Sequence, residues 1–157
     1  MRTGFRIIRS PILGILAGLV SLAALVAIAW GFLELAEIGT CAQGGPFEIA
    51  RPCSDETGRT VAVLIGGILA YIVALFLLAV NKPAAAIFLF GLLFTVLGAC
   101  FIYAELNDAR FGGNLGGTGW ICGPIFILFM GLPPMYIGIR GWVAMRRRAK
   151  RSRGPGI

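Results

Sequence analysis

Four cysteines, Cys41, Cys53, Cys100 and Cys122, are the residues of this 157-residue chain with the widest chemistry open to them. As thiolates they are nucleophiles and metal ligands, and in pairs they close disulfides. Cys41 and Cys53 bracket the stretch CAQGGPFEIARPC, and the eleven residues between them set the pair apart from C-x-x-C, the arrangement in which proximity tunes thiolate reactivity. Histidine is absent from the chain, and neither a nucleotide-binding glycine loop nor a metal-spaced ligand set can be read. The sequence therefore assigns no catalytic residue, no metal and no cofactor, and any enzymatic reading rests on cysteine alone.

What the cysteines can do depends on the elements that carry them. Apolar residues make up 58% of the chain and charged residues 13%, against about 25% charged in soluble domains. The apolar residues gather in blocks at 11–33, 61–80, 84–104 and 119–139, none of which contains Asp, Glu, Lys, Arg or His. Each is long enough to cross a hydrocarbon core about 30 Å thick, which takes roughly 20 helical residues. Inside lipid the backbone must satisfy its own hydrogen bonds, and the blocks lack the alternation of barrel strands, so helices are expected. Only Asn81, Lys82 and Pro83 join the second block to the third, which leaves those two helices side by side. The predicted fold is an all-α membrane protein, an up-down-up-down bundle of four transmembrane helices. It forms a single domain over residues 1–145, followed by a basic tail, 146–157.

Charge sets the orientation. Arg2, Arg6 and Arg9 precede the first span, Lys82 sits between the second and third, and Arg140, Arg146, Arg147, Arg148, Lys150, Arg151 and Arg153 follow the fourth, so 11 of the 14 basic residues share one side. All seven acids, Glu34, Glu37, Glu48, Asp55, Glu56, Glu105 and Asp108, fall on the other, with Arg51, Arg59 and Arg110. Basic residues mark cytoplasmic loops. Both termini are therefore expected in the cytoplasm, loops 34–60 and 105–118 outside, and the chain in the plasma (inner) membrane. Arg146, Arg147, Arg148, Lys150, Arg151 and Arg153 read as a topological and lipid anchor, each contributing about 1 kcal/mol near an anionic leaflet, and not as a nucleic-acid patch. The lipid bilayer is one expected partner and another membrane protein a second. Cleavage behind the small residues Ala27 and Ala29 would make the first block a signal peptide, but its apolar run exceeds the roughly 7 to 15 residues such peptides use. Retention is favoured.

In that orientation Cys41 and Cys53 lie in the first outer loop, in a compartment where disulfides persist. A bond across about a dozen residues removes roughly 3 kcal/mol of freedom from the unfolded chain. The centre of the loop offers only Phe47 and Ile49 as apolar anchors, so a structural disulfide is expected to clamp it. Cys100 and Cys122 lie at matching depths, near the outer ends of the third and fourth spans. Two readings stand open for them: a second bond, or two small buried hydrophobes.

Close packing of the spans needs small residues. Candidate stripes are Gly14 with Gly18, Gly66 with Ala70 and Ala74, and Gly119 with Gly123, and they point to packing within the bundle before a dimer face. Pro133 and Pro134 interrupt the fourth span. A kink or an early end is expected there, about two turns from Arg140, because proline removes a helical hydrogen bond and clashes with the preceding turn.

Four spans with cysteines about both outer loops resemble the bacterial disulfide-forming quinone oxidoreductases. That resemblance implies a thiol oxidase with Arg59 near a quinone headgroup, and the missing C-x-x-C departs from its pattern. Transport lacks the ionisable residue within the spans that ion and proton pathways use, and Glu34, Glu37 and Glu105 at the outer boundary read as solvated flanks. Trp30, GFL and the two loop cysteines distantly resemble claudins, without the second tryptophan and with a loop too short for the claudin sheet. GTCAQGGPFEIARPC is similar to the outer loop of small uncharacterised four-span integral membrane proteins of actinobacteria, over the loop and the layout of spans. Those proteins have no assigned activity, so the resemblance implies no catalytic role. The reading is a structural or accessory integral membrane protein, acting through its first extracytoplasmic loop or as a subunit of a membrane complex. A quinone-linked membrane thiol-disulfide oxidoreductase and a small transporter are the alternatives.

Overall fold

The computed structural model describes residues 11–39, 57–107 and 117–152. Among them every regular element is helical: α1 (Pro11–Gly39), α2 (Thr57–Asn81), α3 (Pro83–Leu106), α4 (Thr118–Ile125), a π-helical stretch (Phe126–Gly131) and α5 (Leu132–Ser152). Four segments are long and apolar enough to cross a membrane: Pro11–Glu37, Thr57–Asn81, Pro83–Leu106 and Thr118–Arg148. Each contains an expected span and outruns it. Hydropathy marks the width of the hydrocarbon, whereas the helix runs on for as long as its own carbonyls and N–H groups pair.

The first two helices meet along a seam of small residues. On α1 the buried positions Gly14, Ala17, Ser21, Ala24, Ile28 and Gly31 follow alternating steps of three and four, the repeat that keeps one stripe facing a partner helix. The matching positions on α2 are Thr60, Gly67, Tyr71, Ala74 and Leu78. Contacts run in opposite order along the pair: a methyl group at Gly14 would sit beside Asn81, one at Gly18 beside Leu78, and one at Gly31 beside Leu64. Gly14, Gly18 and Ala74 thus pack as expected. Gly66 does not, because nothing lies within 4 Å of where its Cβ would be, and its neighbour Gly67 takes the seam position against Ile28 and Ala24.

The third helix and the fourth span come closer still. Ala84, Gly91, Gly98 and Glu105 recur every seven residues on one face of α3. Against them stand Gly138, Gly131, Gly123 and Gly119 in turn. A Cβ on Gly138 would lie 2.7 Å from the Ala84 carbonyl, one on Gly91 2.5 Å from the Gly131 carbonyl, and one on Gly98 2.6 Å from the Gly123 carbonyl. Only hydrogen fits there, so backbone meets backbone.

Pro133 and Pro134 neither end the helix nor leave it a plain α-helix. Helix continues through them to Ser152, and the six residues Phe126–Gly131 before them widen into π geometry, with the Leu132 N–H donating to the Ile127 carbonyl. Two adjacent prolines withdraw two N–H donors and crowd the carbonyls one turn back, and a wider turn relieves that crowding. The π stretch also absorbs a spacing mismatch. Gly123 and Gly131 are eight residues apart yet both face α3, whereas eight residues of α-helix would rotate the second by about 80°. One residue taken up by the π turn restores the seven-residue step, and Gly138 follows at seven more.

A ladder of mostly half-buried aromatic rings runs along α3. Phe32 of α1 meets Phe101 of α3 edge-on at 4.9 Å, Phe126 stacks between Phe101 at 5.6 Å and Phe94 at 5.9 Å, and Phe94 meets Phe90 at 5.1 Å. This ladder ties α1 to the α3 seam, beyond area burial alone by about 0.5–1.5 kcal/mol per pair.

Candidate functional site

Among the described residues Glu105 is an ionisable group with two defined backbone partners. Helix α4 starts behind Gly117, whose φ of +82° suits glycine and whose position offers no side-chain cap of its own. The first N–H groups of a helix lack intrahelical acceptors. Glu105 supplies them from α3: the Gly117 N–H donates to Oε1 and the Gly119 N–H to Oε2, each at 2.9 Å. A carboxylate at this end also meets the positive pole of the helix dipole. The expectation of a solvated flank is therefore corrected: Glu105 ties α3 to the start of the fourth span. Its signal in the sequence is the seven-residue step from Gly98, which places it on the glycine face.

The cysteines divide. Cys41 and Cys53 lie outside the described residues, as does the loop that carries the likeness to the actinobacterial proteins. Cys100 and Cys122 are both free thiols, the first buried and the second half-buried. Equal depth does not bring them together, because they lie on different faces. Gly98, Phe101 and Glu105 turn toward the fourth span, whereas Cys100 shares its face of α3 with Leu93, Val96 and Leu97, which pack on the α1–α2 core. Of the two open readings, the small buried hydrophobe describes Cys100, and the pair forms no bond.

Hydroxyls within the spans are spent on the helices themselves. The Ser21 hydroxyl donates to the Ala17 carbonyl at 2.8 Å, and Thr95 donates to the Gly91 carbonyl at 3.0 Å while lying 3.4 Å from the Met135 sulfur. Tyr71, from α2, donates to the Leu89 carbonyl of α3 at 2.6 Å. Among the described residues no three of His, Cys, Asp and Glu gather where they could hold a metal ion.

At the other end α5 carries the basic tail. The Arg146 guanidinium lies 3.7 Å from the centre of the Trp142 ring, and Arg140 lies 4.8 Å from that of Tyr136. Each is an i, i+4 pair in which the ring face attracts the cation. Arg147 and Arg148 are exposed. Lys150 and Arg151 fall within α5, and Arg153 lies outside the described residues.

The fold and these contacts define a class: a helical protein with four segments built to cross a membrane, its interior polar groups engaged in packing. No protein-family model, curated protein or solved structure matches the chain.

Proposed function

We propose that the chain is a structural or accessory integral membrane protein of the plasma membrane, akin to the small four-span proteins of actinobacteria, that acts through its first outer loop or as a subunit of a larger membrane complex. Its four spans run up-down-up-down with both termini in the cytoplasm, and a Cys41–Cys53 bond clamps the outer loop. The observation that carries this reading is the use of the span polar groups. Ser21 and Thr95 donate to carbonyls of their own helices, Tyr71 donates across to α3, and Glu105 accepts from two backbone N–H groups at the start of the fourth span, so these groups serve the helices and the contacts between them. The order of contacts between α1 and α2, and between α3 and the fourth span, supports alternating directions. The test is affinity isolation of the full chain from native membranes in mild detergent, with quantification of what co-purifies. A membrane protein recovered in fixed ratio is expected. Recovery of the chain alone, able to oxidise an added dithiol with a quinone as acceptor, would overturn the accessory reading.

A further inference from the structure

Two apolar grooves open at the basic end of the bundle, on either side of one ridge of α3. The first, about 250 Å³, is lined by Ala84, Ala85, Phe88, Gly138, Ile139 and Trp142, between α3 and α5. The second, about 350 Å³, runs between α1 and α3, with Gly14, Gly18, Leu22, Ala85 and Phe88 along it and Lys82 at its mouth. Ala85 and Phe88 belong to both. From Gly14 to Leu22 is about 12 Å at 1.5 Å per residue, enough for the upper part of one acyl chain.

Positive charge converges between the mouths. The Lys82 stem lies against Gly14, its Cε 3.4 Å from where a Cβ on that glycine would be. Arg146 is held over Trp142, the ring that closes the first groove. Between them α3 begins with Pro83, which has no N–H, and the Ala85 and Ala86 N–H groups donate to the Lys82 carbonyl, so the two side-chain cations are left to meet an anion. The described acids Glu34, Glu37 and Glu105 belong to the opposite end, where Gly31 meets Leu64 and Gly119 meets Glu105.

We propose that this end binds one anionic two-chain phospholipid, an acyl chain in each groove astride Ala85 and Phe88, and the headgroup phosphate between Lys82 and Arg146. The occupant follows from the combination: two adjacent apolar channels suit two chains, and cations with no acid beside them among the described residues suit an anion. The site rests on the membrane-embedded reading but not on the accessory role.

The test uses the full chain with Trp30→Phe and Trp120→Phe, which leaves Trp142 as the one tryptophan of the three. It is reconstituted in phosphatidylcholine vesicles containing a fixed fraction of either brominated phosphatidylglycerol or brominated phosphatidylcholine, and Trp142 quenching is read. The anionic lipid is expected to quench more strongly. The ratio of relative binding constants should fall roughly fivefold for each cation removed by Lys82→Gln and Arg146→Gln, and by clearly less per cation in the Arg147→Gln, Arg148→Gln double variant, whose charges attract the leaflet as a whole. Equal quenching by the two lipids overturns the site, as does an equal fall in the Arg147, Arg148 variant, which would mark diffuse attraction to the tail. Absence of quenching by either lipid overturns the site and the membrane-embedded reading together.

Discussion

We predict that two glycine-to-alanine changes of identical chemistry move stability in opposite directions. At Gly98 the added methyl carbon would lie 2.6 Å from the Gly123 carbonyl oxygen, 2.7 Å from Ile127 Cγ1 and 3.2 Å from Phe126 Cβ. Ordinary contact begins at 3.4 Å, so α3 and the fourth span must part by 0.8 Å, the difference between 3.4 and 2.6 Å. Neighbouring backbone contacts at Gly91 and Gly119 loosen with it. Overpacking of this size costs about 1–3 kcal/mol, and in lipid no hydrophobic force draws the helices back together. At Gly66 nothing lies within 4 Å, and alanine there gains up to about 1 kcal/mol of helix propensity. The same gain offsets part of the loss at Gly98, leaving a net cost of up to about 2 kcal/mol once the full propensity gain is subtracted. Reversible unfolding in mixed detergent and dodecyl sulfate, followed by circular dichroism, measures both. A Gly98→Ala protein as stable as the parent, or more so, would refute the backbone-to-backbone seam.

The remaining predictions concern the cap, the thiols, the tail and the orientation. Glu105→Ala removes both acceptors from the start of α4 and should cost about 1–2 kcal/mol in the same unfolding assay, with Glu105→Gln losing less because one oxygen remains; equal stability of all three would remove Glu105 from the tie. Maleimide labelling of denatured, unreduced protein should modify Cys100 and Cys122, the two free thiols among the described residues, and reduction should add Cys41 and Cys53; intact-mass measurement reads the count, and four labels before reduction would deny the loop clamp. Replacing the six basic residues of the tail by Gln should lower abundance or scramble orientation, while Lys replacements of its arginines keep both, as read by protease protection; a defect in the lysine version would show that guanidinium geometry matters. An exported phosphatase fused after Ile157 should be inactive, since basic flanks stay inside, and an active fusion would reverse the topology.

The spans were legible in the sequence because membrane insertion depends on composition over about 20 residues, and no long-range contact is needed to read it. Pairing faces were legible only in part. Gly119 and Gly123 were found as a short motif, but Gly91, Gly98, Gly131 and Gly138 are seven or eight residues apart and escape any search for G-x-x-x-G. The small-residue spacing points to Gly66 for the seam position that Gly67 holds, a difference of one residue that amounts to about 100° around the helix. Cys100 and Cys122 show the same limit from the other side: depth can be read from position along a span, whereas azimuth depends on which helix lies where. Glu105 was read by its place at a boundary, and its role depends on a glycine turn twelve residues on.

The π turn explains why the prolines do not break the fourth span. A proline pair in a lipid-exposed helix would leave carbonyls without donors and bend the chain away from its neighbour. Here the bend is constrained on both sides by glycines that have no room to move: Gly123 against Gly98 and Ile102 above, Gly131 against Thr95 and Gly91 below. With both contacts held, the extra residue between them has to be accommodated within the helix, and six residues of π geometry accommodate it. The prolines make the wider turn cheap and the glycines make it necessary. The Thr95 side chain sits beside the distortion, its hydroxyl on the Gly91 carbonyl and 3.4 Å from the Met135 sulfur, so the polar group nearest the irregular backbone serves the seam. A cavity lined by broken helix, as transporters use at mid-membrane, would need polar backbone turned toward open space inside the bundle; in this protein Gly131 closes the inner side against Thr95 and Gly91 of α3, and Leu128, Phe129 and Met130 present apolar side chains on the outer side.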